Sequence, residues 1–189
     1  MNRRTALIFM AVSLIFGGVA IWQSWAWNWP GYHEGYTPVQ PIAFSHAQHA
    51  GELEIPCEYC HTAADESRYA AIPPAQTCMT CHSTIATDSE EIAKLTRFYE
   101  EAEPIPWVRV NKLPDHVYFD HSRHVHGDVA CEDCHGDVAT MTEVKQAETF
   151  SMGWCIDCHR ETEEAERLPD GSSPRILGAP STDCSACHQ

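Results

Sequence analysis

Residues 44–61 read FSHAQHAGELEIPCEYCH, and the end of that stretch, Cys57-Glu58-Tyr59-Cys60-His61, decides the fold. C-x-x-C-H is the pattern in which two thiols add covalently to the vinyl groups of a haem and the next histidine ligates its iron. His46 and His49 stand eleven and eight residues before Cys57. A haem held this way has a second axial position, for which histidines outside any C-x-x-C-H are candidate ligands.

The motif recurs along the chain. All ten cysteines fall in five pairs, Cys57/Cys60, Cys78/Cys81, Cys131/Cys134, Cys155/Cys158 and Cys184/Cys187, and a histidine follows each: His61, His82, His135, His159 and His188. Zinc ribbons and thioredoxin-like sites also use C-x-x-C, but neither requires that histidine. Were histidine placed there at its own frequency in the chain, five hits in five would be a chance on the order of one in a million. Five covalently attached haem c groups are the expected cofactors. No cysteine is left for a disulfide, a lipid anchor or a nucleophile.

Five haems leave roughly one macrocycle per 32 residues of exported chain, too little polypeptide for a conventional apolar core. The haems must be the core. The expected fold is a multihaem cytochrome c, mainly short α-helices and loops wrapped around five covalent haems, with one N-terminal transmembrane helix.

Residues 118–135, YFDHSRHVHGDVACEDCH, repeat the order of 44–61: an aromatic, His121, His124, then Cys131 to His135. Equivalent positions are offset by 75 at the first histidine, 74 at the first cysteine and 77 at the next pair. This is an internal duplication of a two-haem module. It makes His46, His49, His121 and His124 the candidate distal ligands. Ser45 can cap a short helix carrying His46 and His49, whose i, i+3 spacing sends them to two different haems.

Four distal histidines do not serve five haems. His33, His116, His126, Met141, Met152 or an open position remain for the fifth iron, and a methionine there raises its potential above that of a bis-histidine site. Met141, in the polar context GDVATMTEV, has least reason to be core filler and is the favoured candidate; Met152 and His126 follow.

Residues 6–22 are apolar apart from Ser13, follow Arg3 and Arg4, and lead into Trp22, Trp25, Trp27 and Trp29. That reads as an uncleaved, single-pass anchor: the run is long for a signal-peptide h-region, and tryptophans settle at a membrane interface. The arginines keep the amino terminus cytoplasmic and send the haem domain to the periplasm of a bacterial inner membrane. His33, in the Pro- and Gly-rich tether that follows, is a candidate haem ligand or proton acceptor as well as an incidental loop residue.

A formal charge of −15 excludes a phosphate-binding face, so no nucleic-acid partner is expected. The acidity serves solubility or docking of basic soluble cytochromes. Asp88 and Glu91 suggest a capping box, opening an amphipathic helix with Ile92, Leu95, Tyr99 and Ala102 on one face. Trp107, Val108 and Val110 look like cover for a haem edge. Arg109, Lys112, Arg160, Arg167 and Arg175 are candidate propionate partners. The expected organisation is an anchor (1–27), a tether (28–42), a first two-haem module (43–87), an acidic helix and linker (88–117), a second module (118–160) and a fifth-haem segment (161–189).

The repeated F-x-H-x-x-H before paired C-x-x-C-H sites is similar to the class III multihaem cytochromes c. Five sites behind one anchor, with the segments PWVRVNKLPDHVYFDHSRHV and FSMGWCIDCHRE, resemble more narrowly the pentahaem subunit of alternative complex III, a bacterial respiratory quinol oxidoreductase. The resemblance implies an electron-transfer subunit with no catalytic residue of its own. It implies partners too: a polytopic quinol-oxidising subunit, an iron–sulfur subunit and a monohaem cytochrome c, with a soluble cytochrome c or terminal oxidase as acceptor. A self-sufficient membrane-anchored quinol dehydrogenase feeding periplasmic reductases is the alternative, and a multihaem reductase with an open iron is a third.

Overall fold

The computed structural model describes residues 2–28, 33–165 and 181–188. Helix α1, Arg3–Asn28, contains the apolar run, and its 26 residues reach about 39 Å at 1.5 Å per residue. Arg3–Ser24 is long and apolar enough to cross a membrane, and none of that window is buried inside the chain. The side chains of Trp25, Trp27 and Trp29, and all of Arg167 and Arg175, lie outside the described residues.

Beyond the anchor the helices are short: α2 Cys57–Cys60, α3 Ala75–His82, α4 Glu90–Glu100, α5 His121–Val125, α6 Cys131–His135, α7 Met152–Ala165 and α8 Cys184–Cys187. Among the described residues there is no strand. The buried apolar residues there are Ile42, Leu95 and Phe98, packed with Met79, Ile92 and Trp107 where α3 meets α4. A cluster of three cannot offset the conformational entropy of such a chain, which agrees with a polypeptide that folds around something else.

Helix α4 departs from expectation at both ends. Its N-cap is Ser89, and no capping box forms, because the Glu91 carboxylate instead accepts the Ala43 amide at 2.7 Å and pairs with Lys94. Its inner stripe is Ile92, Leu95 and Phe98; Tyr99 is 39 % exposed, and Ala102 has already left the helix at φ 53°.

The duplication survives in three dimensions, including its one-residue mismatch. His46 and Cys57 are separated by one residue more than His121 and Cys131. The extra residue is absorbed in a π-helical turn, Ala47–Glu52, where Leu53 N donates to Gln48 O, five residues back. The second module is one residue tighter at the equivalent bond: Val129 N donates to His124 O, five residues back, where Ile55 N donates to His49 O, six residues back. A single inserted residue is the usual origin of a π turn. Both loops then turn through a left-handed residue three positions before the first cysteine, Glu54 at φ 52° and Asp128 at φ 58°.

The π turn lies against a 3₁₀ turn at Val138–Thr140, so the two modules meet directly. Ala47 N donates to Met141 O at 2.9 Å, and a side chain at Gly51 would collide with the Ala139 carbonyl oxygen. The tether joins the assembly through Gly35 N to Gln146 O (2.8 Å) and Gln146 N to Tyr36 O (3.1 Å).

Candidate functional site

Each distal-histidine pair is mounted by the same device. Ser45 Oγ accepts Gln48 N at 3.2 Å, and Asp120 Oδ1 accepts Ser122 N at 3.0 Å, so the residue before each pair caps its turn. The backbone carbonyl of that capping residue also accepts a ring nitrogen: His49 Nδ1 to Ser45 O, and His124 Nδ1 to Asp120 O, both 2.8 Å. The aromatic of each repeat stacks on the same histidine, with centroids 4.4 Å apart for Phe44–His49 and for Phe119–His124. It meets the other histidine edge-on, at 4.9 Å for Phe44–His46 and 4.8 Å for Phe119–His121.

A carbonyl can only accept, so a ring bonded to one at Nδ1 carries its proton there and leaves Nε2 bare. His121 does the same to Arg68 O (2.9 Å), His61 to Ala71 O (2.7 Å), His82 to Ile85 O (3.1 Å), His159 to Ser181 O (2.8 Å) and His188 to His116 O (3.1 Å). This fixes both tautomer and ring direction, as the outer partners of metal-bound histidines do.

The rings meet in pairs. Ring centroids are 6.1 Å apart for His49 and His82, 6.4 Å for His121 and His135, and 6.1 Å for His124 and His159. Two imidazoles facing each other across one metal, with bonds of about 2 Å on each side, hold their centroids about 6 Å apart. His46 completes the set beside His61: burial first, then His61 and His49, lower its pKa to about 4. Burial likewise lowers His124, with His159 and His121 adding to it, and lowers His135, with His121 and His61 adding to it. A neutral imidazole is the form a metal requires.

The pattern fits the group implied by C-x-x-C-H. A pair of imidazoles is the donor set a haem iron would take from the protein, whereas a tetrahedral zinc would need four protein donors. Among the described residues, no three of His, Cys, Asp or Glu converge as metal ligands. Burial, followed by Asp133 and the thiols of Cys158 and Cys155, pushes Cys134 up to about 11. That setting suits a neutral thioether better than a thiolate.

The polypeptide itself shelters only one thiol of each pair. Cys81 is exposed, as are Cys57, Cys131, Cys158 and Cys184, while Cys78, Cys60, Cys134, Cys155 and Cys187 are half-buried. The reason at the second site is the packing of α3: Cys78 lies against the Ile42, Leu95 and Phe98 cluster, and Cys81, one helical turn further on, stands outside it. In each module the first site exposes its leading cysteine and the second site its trailing one, so Cys81 matches Cys158 as Cys57 matches Cys131.

Neighbouring thiols also give the spatial order. After burial, Cys60 raises Cys78, and Cys57 raises Cys131, which joins the second site to the first and the first to the third. Cys158 and Cys155 act on Cys134, and Cys187 acts on Cys155, which joins third to fourth and fourth to fifth. Each of the five segments thus lies beside the next in the series second, first, third, fourth, fifth.

The fifth site is unlike the rest. His116 lies beside His188, centroids 5.4 Å apart, but presents its carbonyl to Nδ1, the edge remote from Nε2. Met141 accepts the Ala47 amide at its carbonyl, and its Cε occupies the space beside Gly136, between the two modules and away from Cys184 to His188 in sequence. Met152 is 67 % exposed, and His126 is exposed as well. His33 lies by Tyr36 in the tether, centroids 6.2 Å apart. Arg160 pairs with Asp157 at 3.8 Å.

Arg68 has no counterpart in the sequence reading. Its carbonyl orients His121, its guanidinium lies 5.3 Å from the rings of both Tyr69 and Tyr118, and its buried Nε lacks a protein partner. A lone arginine in a loop carries no pattern that would single it out.

Comparison with known proteins divides the chain as the duplication does. Residues 26–108, with the first two sites, match the Class III cytochrome C family. Residues 117–189, with the last three, match cytochrome c7 and related cytochrome c. Over 185 residues, 95 % of this chain and 77 % of the relative, the sequence is 25 % identical to the menaquinone reductase, multiheme cytochrome c subunit, of Nitratidesulfovibrio vulgaris strain Hildenborough.

Proposed function

We infer that this chain, a multihaem cytochrome c through both matched segments, is the electron-carrying subunit of a membrane-bound quinol oxidoreductase, with a haem c at each of its five C-x-x-C-H sites. The observation that carries this reading is the set of three histidine pairs at 6.1, 6.1 and 6.4 Å, each joining one C-x-x-C-H histidine to one outside the motif.

Bound there, each group supplies a one-electron iron couple. The chain's own residues do the rest. The cysteines, Cys81 and the other exposed ones included, fix each group at two points. His61, His82, His135, His159 and His188 are the proximal ligands, and His46, His49, His121 and His124 the distal ones, the last three aimed by carbonyls. Axial ligation, outer hydrogen bonds and burial set the potentials. In this reading electrons pass along the adjoining sites in series, entering and leaving at the second and the fifth. Bis-histidine sites offer no open position to a substrate, which favours an electron carrier over a haem enzyme. The geometry lends Met141 no particular support as the second ligand of the fifth site; it keeps that place on chemistry alone.

In its full form the reading is the pentahaem subunit of an alternative complex III. Helix α1 anchors it in a bacterial inner membrane, Arg3 and Arg4 inside and the haem domain in the periplasm. Its neighbours are a polytopic quinol-oxidising subunit, an iron–sulfur subunit and a monohaem cytochrome c, and a soluble cytochrome c or terminal oxidase is the acceptor. The relative's name supports a second reading, in which the same series of sites delivers electrons to a quinone.

Purification in mild detergent, followed by a two-way assay, distinguishes these. A polytopic partner that co-purifies, with haem reduction by a quinol and onward reduction of cytochrome c, supports the first. Quinone reduction from a reduced donor, without the forward activity, supports the second. Quinol oxidation by the isolated chain points to the self-sufficient dehydrogenase and sinks both.

A further inference from the structure

Of the nine histidines in the sites, seven donate Nδ1 to a backbone carbonyl, and buried Nδ1 of His46 has no partner. His135 alone meets a side chain, the carboxamide of Asn111, at 3.1 Å. The chain leaves His135 through Gly136 at φ 68°, where a side chain would press on Ala147 Cβ at 2.7 Å, and no local carbonyl returns to the ring. The neighbouring atom is Asn111 Nδ2, a donor, while Asn111 Oδ1 is buried without a partner. An amide donating to Nδ1 puts the neutral ring's proton on Nε2, the atom facing His121. Rotating the carboxamide by 180°, a choice open at any asparagine, satisfies the ring and Oδ1 together.

We propose that Asn111 is a positioning residue for the third site: its Oδ1 accepts the His135 Nδ1 proton, bares Nε2 and tunes the potential of that one haem. This rests on the reading of Cys131 to His135 as a haem site. The linker holds Asn111 in place through Gln40, whose side chain bonds both Val108 N and Val108 O at 2.9 Å. A side-chain acceptor can be exchanged by mutation, whereas a carbonyl cannot. An anionic acceptor pulls harder on the Nδ1 proton, makes the imidazole a stronger donor to iron and lowers the potential; an apolar group does the reverse.

The test is spectroelectrochemistry and low-spin electron paramagnetic resonance on the holo-chain, comparing N111D and N111L with the parent. One of the reduction steps should move down in N111D and up in N111L, the others staying put and every low-spin signal being kept. Aspartate retains the shape of asparagine, so N111D is decisive by itself if N111L fails to fold. No movement, movement of both variants in one direction, or loss of a low-spin signal in N111D overturns the role of Asn111. Peptide mass spectrometry separates the two layers: no haem on the peptide containing Cys131 and Cys134 of the parent overturns the site and Asn111's role with it, while a haem there with an unmoved potential overturns only the latter.

Discussion

His49 and His82 are 33 positions apart in sequence, yet their ring centroids lie 6.1 Å apart, with Nδ1 of each ring turned away to a backbone carbonyl. The same relation joins His124 to His159, and His121 lies at a similar distance from His135, whose Nδ1 meets Asn111 instead. The first histidine of each H-x-x-H faces its module's first attachment site, and the second histidine faces the next one. Each short turn therefore ties two C-x-x-C-H sites together, and the spacing of three residues sets which histidine each site meets.

Replacing His49 with alanine should turn one low-spin haem, the second, high-spin and leave the others as they were. His124→Ala should do this to the fourth. Electron paramagnetic resonance of each variant checks the assignment, and two low-spin signals lost from one substitution would contradict it.

Asp120 is tested by mutation and by acid. Its side chain accepts Ser122 Oγ at 2.7 Å and Ser122 N at 3.0 Å, and the Ser122 hydroxyl, before the backbone bonds and Arg123, holds its pKa below the usual value. A carboxylate with a depressed folded pKa contributes stability above its unfolded pKa, about 3.9, and loses it as pH falls through the lower folded value. Asp120→Ala should cost roughly 0.5–1 kcal/mol at neutral pH, the loss of an exposed cap. The gap between variant and parent should close below about pH 4. Denaturant titrations of the holo-chain at several pH values measure both.

Gly51→Ala should weaken the junction between the modules, because the obstacle is the Ala139 backbone carbonyl rather than a side chain that can swing aside. A loss of about 1–3 kcal/mol is expected, the usual range for overpacking. Thermal unfolding followed in the Soret band is the measurement, and a neutral result would mean that the turns do not abut.

Exchanging residues 1–27 for a cleavable export signal should move the chain from the membrane fraction to the aqueous one without changing its haem content, since the apolar window Arg3–Ser24 buries nothing against the remainder. Fractionation with haem staining reads both quantities.

Much of this was legible beforehand because the chemistry is written at fixed spacing. C-x-x-C-H names its own attachment atoms, and the repeated H-x-x-H, aromatic and offset announce the module. Other features were not legible because they depend on contacts between distant segments. Glu91 was read as half of a capping box, but Ala43, 48 positions away, supplies the amide it binds. Which thiol of a pair the chain shelters, Cys78 rather than Cys81, is decided by the packing of α3 on α4 and not by the motif. Asn111 and Arg68 act through one carboxamide and one carbonyl, and such groups leave no periodicity. The fall in offset from 75 to 74 was visible as a number, but its meaning as a π turn needed the backbone.

The most direct test of the account is the intact mass of the denatured, purified chain, because covalent haems remain attached when every non-covalent contact is lost. The polypeptide is 21.2 kDa, and the account predicts that mass plus five haems in one dominant species. The bare polypeptide mass, or a dominant species with fewer than five, would contradict it.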